Sequence, residues 1–548
     1  MRLIPARAWA LIVLSALLQV MIFPVAGALP VWRAALSWVA LVPLLVALLL
    51  GDSAGKVFTM RHAGLLGYGC GILWYMGNCY WIYPTMHEYG GLPESVSFVI
   101  LILFSMYLGL YHALFAFLLA WLRRSRLGVS GALLLSPFVW VSVELARSRI
   151  TYFPWDLLGY AQVDNLLLTR LAPLGGVMAI SFVLAGINAL VASYFLTGKK
   201  RALVYVGPAL LIILVVQVGG YAGWRMYRNP DAQPDIAVMM QENIEVGAVG
   251  RAAGALTSTE ELRQFSAWSL HPAQTKLDNT MLTWDTGGVG TGVKPATVMV
   301  WPEAPAHLVS SDPVFRESMG QLARAGQAPL VIGSLGVDYD RTVERGYHVY
   351  DSATYFDATG KYQDRYDKIH LVPFGEYMPF AKLFSFAHKL TEGVGDTDRG
   401  WRRTLFQTGG HSYGTMICYE SVFGDEVRQF VNDGAEVLVN ISNDAWYGDS
   451  SAPWQTLSMA RMRAIENDRW VLRDTNTGIT AAIDPHGRIA IEAPRHVRAA
   501  FAFPFGFKRA SERTLYTRDG DWFAGLCVLV TAMGMVFALF RRTGFELR

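Results

Sequence analysis

Apolar residues are distributed along this chain in two contrasting ways. Long unbroken runs occupy positions near 8–28, 34–51, 63–86, 96–122, 130–148, 171–196 and 203–224, and one more lies at 522–540. Each matches the roughly 17 to 25 residues a helix needs to cross a bilayer, which predicts seven transmembrane helices followed, at the far end, by an eighth. Between about 225 and 521 the pattern changes abruptly. Short stretches rich in β-branched residues predict strands at 235–241, 296–301, 329–333, 348–356, 411–417 and 436–441. Longer mixed stretches predict helices at 259–270, 313–325 and 454–471. The alternation is an α/β pattern, in a segment of reasonable size for one large domain. The expected organisation is a membrane helix bundle over 1–228, an α/β domain over 229–505, a connector over 506–521, and a last membrane helix with its tail over 522–548.

Composition agrees with a membrane protein carrying a substantial polar domain: 53% of residues are hydrophobic and 17% charged, with mean hydropathy +0.29. Net charge is +3, from 47 Lys and Arg against 44 Asp and Glu, a balance that argues against a nucleic-acid partner. Cationic residues cluster in alternate loops. With the N-terminus cytoplasmic, the inner side holds Arg2, Arg7, Lys56, Arg61, Arg123, Arg124, Arg126, residues 199–201, Arg541, Arg542 and Arg548, while loop 87–95 on the outer side has no Lys or Arg. Arg33, Arg147, Arg149 and Arg170 run against this bias. The positive-inside rule then puts 225–521 outside the cytoplasm, which in a bacterium is the periplasmic face of the inner membrane. The first run follows Arg2 and Arg7 and precedes Ala26-Gly27-Ala28 as in a signal peptide, but its long apolar core favours a retained helix.

Of the four cysteines, Cys70, Cys79 and Cys527 lie in apolar runs, so neither a disulfide framework nor a zinc-type spacing is present. Cys418 stands alone, at the end of the strand predicted at 411–417. It reads either as a small buried hydrophobe or as a nucleophile. Two other strand ends carry polar groups that core packing does not require: Glu303 after the apolar run at 296–301, and the loop 365–379 with Lys368, His370 and Glu376. Singly, Glu303 reads as a cap or ion-pair partner and Lys368 as a solvated charge. Together they complement a thiol, because acyl transfer needs a proton acceptor, which Glu303 can be, and a cation for the developing oxyanion, which Lys368 can be. Glu144 and Arg147 are spaced to pair on one helix face, Phe153-Pro154-Trp155 reads as an interfacial aromatic anchor, and the Gly-rich 286–294 lacks a P-loop setting and reads as a surface loop. In 378–390, Phe380, Leu383, Phe384, Ala387 and Leu390 share one helical face, which suits either a lid dipping into the interface or an ordinary packed helix.

Several longer strings extend this picture. WPEAPA from 301, RYDKIHLVPFGEYMP from 365, GTMICYES from 414, NISNDAWYG from 440 and PWQTLSMARMRAIENDRWVLRDTNTGIT from 453, with TLYTRDGDWF before the last apolar run, resemble the apolipoprotein N-acyltransferase family, the membrane branch of the nitrilase superfamily. The resemblance implies a bundle of eight transmembrane helices carrying an extracytoplasmic αββα sandwich. It implies a triad of Glu303 as base, Lys368 as cation and Cys418 as nucleophile. Glu376, Tyr419 and Glu420 fall on its supporting positions, and Trp446 falls on a tryptophan lining its substrate entrance, though it reads equally as a core aromatic; the amphipathic pattern, if 378–390 is a lid, adds Phe380 and Phe384 to that entrance.

The reaction it implies is ping-pong: an acyl chain passes from a membrane phospholipid, preferentially phosphatidylethanolamine, to the cysteine as a thioester. It then moves to the N-terminal amine of a diacylglyceryl-cysteine apolipoprotein. No metal or organic cofactor is implied, and a monomer is expected. Two departures, Gln241-Glu242-Asn243-Ile244 in place of the family's QGNI and the Gly-rich insertion, bear on the entrance rather than on the chemistry. The alternatives are a membrane-tethered nitrilase-type amidase, a Cys-His enzyme using His370 or His411, and a non-catalytic lipoprotein-binding scaffold.

Overall fold

The computed structural model describes residues 4–50, 58–197, 199–226, 235–246, 259–273, 275–277, 280–282, 296–303, 308–373, 375–377 and 397–540. The stretches 286–294 and 378–390, and with them Phe380 and Phe384, lie outside the described residues.

Helices fall on every long apolar run, but three runs are broken, the third within Ala172–Thr197. The run expected at 34–51 is divided into Val31–Ala35, a 3-10 turn Leu36–Trp38 and Val42–Leu50, because Val39 leaves helical geometry. The run expected at 63–86 ends as a helix at Asn78 and continues as Ile82–Pro84 and a π-helical turn, Thr85–Tyr89. The others are Ala6–Met21, Glu94–Arg124, Gly128–Ile150, Ala172–Thr197, Lys199–Met226 and Trp522–Phe540. Among the described residues, five helical stretches are long and apolar enough to cross a membrane: Val31–Leu50, Glu94–Arg124, Gly128–Ile150, Thr169–Thr197 and Trp522–Leu539.

Small residues let these helices approach closely: a Cβ on Gly71 of Met60–Asn78 would lie 2.8 Å from Gly109 Cα of Glu94–Arg124. Helix Ala172–Thr197 is interrupted where Gly176 takes φ +69°. A Cβ there would come within 2.6 Å of the Tyr516 ring, so the break admits the chain that leads into the last helix.

The polar domain is built on two six-stranded sheets. The first has strands β1 (Asp235–Gln241), β4 (Val298–Trp301), β5 (Leu330–Tyr339), β6 (Tyr347–Phe356), β7 (Tyr362–Asp367) and β14 (Ala499–Phe505), in the order β14-β1-β4-β5-β6-β7. The second has β8 (Leu405–Thr408), β9 (His411–Ile417), β10 (Val437–Ser442), β11 (Val471–Thr475), β12 (Ala481–Ile483) and β13 (Ile489–Glu492), in the order β13-β12-β11-β10-β9-β8. A separate two-stranded piece pairs β2 (Thr275–Leu277) with β3 (Thr280–Leu282). In each large sheet the three central strands are parallel and the edges antiparallel.

Alternation along the strands makes the layers. Val238, Met240, Met299 and Trp301 pack outward on Phe265 of helix Thr259–Leu270 and on Phe315, Met319 and Leu322 of helix Pro313–Gly326. Ala237, Met239, Val298 and Val300 pack inward with the second sheet, which shares a core with helices Gly424–Asn432 and Ala452–Asn467. The result is a helix-sheet-sheet-helix sandwich.

Three sequence expectations need correction. The helix expected at 454–471 runs Ala452–Asn467, closed by Asp468 at φ +50°, and Val471 opens β11. The segment read as a loop from 365 begins inside β7, so Lys368 directly follows a strand. Strands β7, β8 and β11 to β14 are not marked by a strong β-branched pattern: β7 reads YQDRYD, an edge strand, and β14 carries Pro504.

Candidate active site

The parallel strands of both sheets end on the same side, and there the candidate residues meet. Lys368 follows β7, and its side chain is fully buried. Its Nζ donates to Glu303 Oε1 at 2.9 Å, Asp351 Oδ2 at 3.0 Å and Glu376 Oε1 at 2.6 Å. Glu303, two residues past β4, is held from its other side by the backbone N–H of Asn443, 2.7 Å from Oε2. Glu376 Oε2 accepts from the N–H of Val372 at 3.1 Å. Three convergent carboxylates are a pattern that gathers around a cation; here the tethered ammonium of Lys368 supplies that positive charge.

Cys418 begins a 3-10 turn, Cys418–Val422, immediately after β9, with φ +52°. A left-handed backbone at a non-glycine residue costs about 1 to 3 kcal/mol and is held only by its surroundings. Glu420, fully buried, supplies much of that hold. Its Oε1 accepts from Tyr366 Oη at 2.8 Å and from the N–H groups of Ile369 and His370 at 2.7 and 3.0 Å, and its Oε2 from the Ile417 N–H at 2.8 Å. One carboxylate therefore clamps the cysteine turn to the segment bearing Lys368. Behind the turn, Asn440 Nδ2 donates to the Met416 carbonyl at 3.2 Å, and its amide oxygen accepts from Arg473. Arg473 also donates to Asp444 Oδ2 at 2.7 Å.

Burial and charge set the protonation states. Burial, reinforced by the Glu303 carboxylate, pushes the Cys418 thiol well above its ordinary value, with Lys368 opposing. Burial alone would lower Lys368, but Glu303, Glu376 and Asp351 together push it well above the ordinary lysine range. Burial raises Asp351 and Glu376. The resting arrangement is a neutral thiol beside a permanently charged ammonium, and such a thiol needs a base to become nucleophilic.

The membrane bundle reaches this turn directly. Tyr419 Oη donates to the Tyr152 carbonyl at 3.0 Å, and its ring stacks on Trp155 at 6.3 Å. Trp155 is buried, 1% exposed, and donates through Nε1 to Gln455 Oε1 at 2.8 Å; it is a seam between domain and bundle rather than the expected interfacial anchor. Glu144 and Arg147 share a helix face but bond elsewhere: Glu144 accepts from Trp140 and from the Leu158 N–H, and Arg147 donates to Tyr75. Trp446 lies half-buried in the turn Asp444–Tyr447. Its neighbour Tyr447 meets Trp81 edge-on at 5.2 Å.

The two histidines are engaged away from the thiol. His370 bonds Glu426 at 3.1 Å and stacks on Phe423 at 4.4 Å. His411 bonds Glu436 at 2.8 Å and sits at the opposite end of β9 from Cys418, about 20 Å along an extended strand. Asp351 was missed by sequence reasoning. Its signal was an acidic residue in the middle of a strand otherwise rich in β-formers, and its partner became visible only once β6 and β7 were paired. Asn440, Asp444 and Arg473, the buried polar brace, were missed as well.

Residues 267–498 match the family model described as carbon-nitrogen hydrolase, and residues 15–190 match the one described as apolipoprotein N-acyltransferase N-terminal domain. The apolipoprotein N-acyltransferase of Geobacter metallireducens is 33% identical over 548 residues, covering 98% of this chain and 97% of that protein. The enzyme of the same name from Methylococcus capsulatus is 31% identical, covering 94% of each chain. That from Pseudomonas syringae pv. tomato is 31% identical, covering 87% of this chain and 88% of its own.

Proposed function

This chain belongs to the apolipoprotein N-acyltransferase family and is an acyltransferase, and from that premise we propose that it moves an acyl chain from a membrane phospholipid to the N-terminal amine of apolipoproteins through a thioester on Cys418. Phosphatidylethanolamine is the proposed donor and a diacylglyceryl-cysteine N-terminus the proposed acceptor. The eight apolar segments are proposed to cross a bacterial inner membrane, with 1–228 and 522–548 forming the bundle, 506–521 a connector, and 229–505 a catalytic domain on the periplasmic side, acting as a monomer.

In the first half-reaction Glu303 takes the proton of the Cys418 thiol as the sulfur attacks the ester carbonyl. The tetrahedral oxyanion is stabilised by the Lys368 ammonium. The carbon–oxygen bond then breaks, Glu303 returns its proton to the departing oxygen, and a lysophospholipid leaves. In the second, the neutral acceptor amine attacks the thioester and passes a proton to Glu303. The carbon–sulfur bond breaks, the amide forms, and the thiol is regenerated as Glu303 gives up that proton. Glu376 and Asp351 hold Lys368 in place, Glu420 and Tyr419 hold the turn, and Trp446, Phe380 and Phe384 are proposed at the entrance.

The observation that carries this reading is the contact of Tyr419, next to the nucleophile, with Tyr152 and Trp155 of the bundle. A thiol fixed against membrane helices suits donors and acceptors that never leave the bilayer, which a water-using amidase does not require. Intact-protein mass spectrometry after incubation with phosphatidylethanolamine tests it. Wild type is expected to gain one acyl chain that a diacylated lipopeptide discharges and water discharges only slowly, and Cys418→Ala to gain none. No adduct from any of several phospholipids would sink it.

A further inference from the structure

A groove of about 570 Å³ lies between the polar domain and the bundle, and none of Glu303, Lys368 and Cys418 lines it. Phe423, which does line it, stands edge-on to Tyr419 at 5.0 Å, so the turn bearing Cys418 forms part of its wall. The floor is made by the ends of three apolar helices: Arg149 near the end of Gly128–Ile150, Met178 just past the break in Ala172–Thr197, and Asp521 before Trp522–Phe540. Such ends mark the level at which hydrocarbon gives way to headgroups. Tyr152, which lines it, is 58% exposed, and Ile150, next in sequence to the lining residue Arg149, is 71% exposed.

The roof includes the sequence Asp398-Arg399-Gly400-Trp401-Arg402-Arg403. Trp401 is 85% exposed although it lines the groove, the placement of a ring that rests in an interface rather than in a core. The carboxylates of the lining are already engaged: Asp425 and Asp521 pair with Arg149 at 2.6 and 2.5 Å, and Glu426 pairs with Arg403 at 2.5 Å. Arg399 is exposed, and among the described residues no carboxylate pairs with it.

We propose that this groove is a second lipid site, which binds the phosphodiester headgroup of an anionic phospholipid at Arg399 while Trp401 lies in the interface beside it. The proposal rests on the chain's seat in a membrane but not on the chemistry of Cys418. Guanidinium is the side chain suited to a phosphate, and an anionic headgroup adds attraction to the Arg399 cation. A lipid held there would brace the polar domain against the bundle next to the cysteine turn.

The experiment uses the full-length Cys418→Ala protein in detergent, titrated with phosphatidylglycerol and read by native mass spectrometry. Retained lipid is expected to fall about tenfold in affinity when Arg399→Glu and Trp401→Ala are added. Diacylglycerol, which lacks phosphate, and glycerol 3-phosphate, which lacks chains, are expected to bind far more weakly. Undiminished phosphatidylglycerol binding in the added double variant overturns the proposal. So does glycerol 3-phosphate binding as tightly as the lipid, which would mean a free-phosphate site, or diacylglycerol doing so, which would mean a merely apolar groove. Both surface substitutions in a Cys418 background should still form the acyl-enzyme from dispersed phosphatidylethanolamine, showing the fold intact. Because binding is read without the thiol, failure of the acyl-transfer reading would leave this result unaffected.

Discussion

Lys368 and Asp351 are joined twice: the backbone N–H of Lys368 donates to the Asp351 carbonyl at 2.8 Å, and its ammonium donates to Asp351 Oδ2 at 3.0 Å. The first bond sets the position of the residue and the second aims its side chain. Asp351→Asn replaces one of the three carboxyl groups that hold the ammonium with an amide, and a small displacement of a group that must meet an oxyanion costs on the order of 10²-fold in rate. Single-turnover acyl-enzyme formation is expected to slow by about that much in Asp351→Asn and to be lost in Lys368→Met. An unchanged rate in Asp351→Asn would remove it from the site.

The thiol's raised pKa makes a prediction with opposite signs in two variants. Alkylation of Cys418 by iodoacetamide should be slow at neutral pH and inflect above the ordinary 9.0. Glu303→Gln removes an anion that disfavours the thiolate, so the inflection should move to lower pH while acyl transfer is lost. Lys368→Met removes the opposing cation, so the inflection should move to higher pH. Parallel shifts in the two variants would contradict the charge arrangement around the sulfur.

Glu420 is expected to matter for folding first. Glu420→Ala would leave Tyr366 Oη and three backbone N–H groups without their partner in a fully buried place. Orphaned buried donors cost about 1 to 3 kcal/mol each before relaxation, so the variant should unfold many degrees lower in a thermal melt. A melt unchanged from wild type would show that the clamp is dispensable.

Gln455 joins the domain to the bundle. Its Nε2 donates to the Pro24 carbonyl at 3.0 Å and the Asn78 carbonyl at 3.1 Å, while its Oε1 accepts from Trp155. Gln455→Leu keeps the volume and strands these groups, so a loss of about 2 to 3 kcal/mol is expected, read as earlier thermal loss of the full-length protein. Limited proteolysis should also separate domain from bundle sooner than in wild type.

His370→Gln tests the rival Cys-His arrangement. With His370 engaged by Glu426 and Phe423, acyl-enzyme formation should stay within a few-fold of wild type. A loss as deep as that of Lys368→Met would favour a histidine base.

The sequence alone determined the family, through strings such as GTMICYES and RYDKIHLVPFGEYMP that keep their order over the chain, and it determined which segments are apolar, because hydropathy is a local property. It also marked five of the six central strands, β1, β4, β5, β9 and β10, through their runs of buried apolar residues, and missed β11, whose VLRDT carries two charges. It was weaker where local signal and final structure part company. Edge strand β7 is polar because one side of it meets solvent, and the helix ending at Asn467 stops because Asp468 takes a left-handed backbone, not because the apolar pattern ends.

Only the tertiary structure decided how the pieces meet. Asp351 reaches Lys368 because β6 and β7 pair with Ser352 opposite Asp367. Trp155 became a buried seam because Gln455 and Tyr419 arrive from sequence positions hundreds of residues away. Glu144 and Arg147, spaced to pair, took other partners because Trp140, Leu158 and Tyr75 lay within reach. Spacing along a chain sets which groups share a face, but a buried polar group bonds whichever partner packing brings to it, and that choice is made in three dimensions.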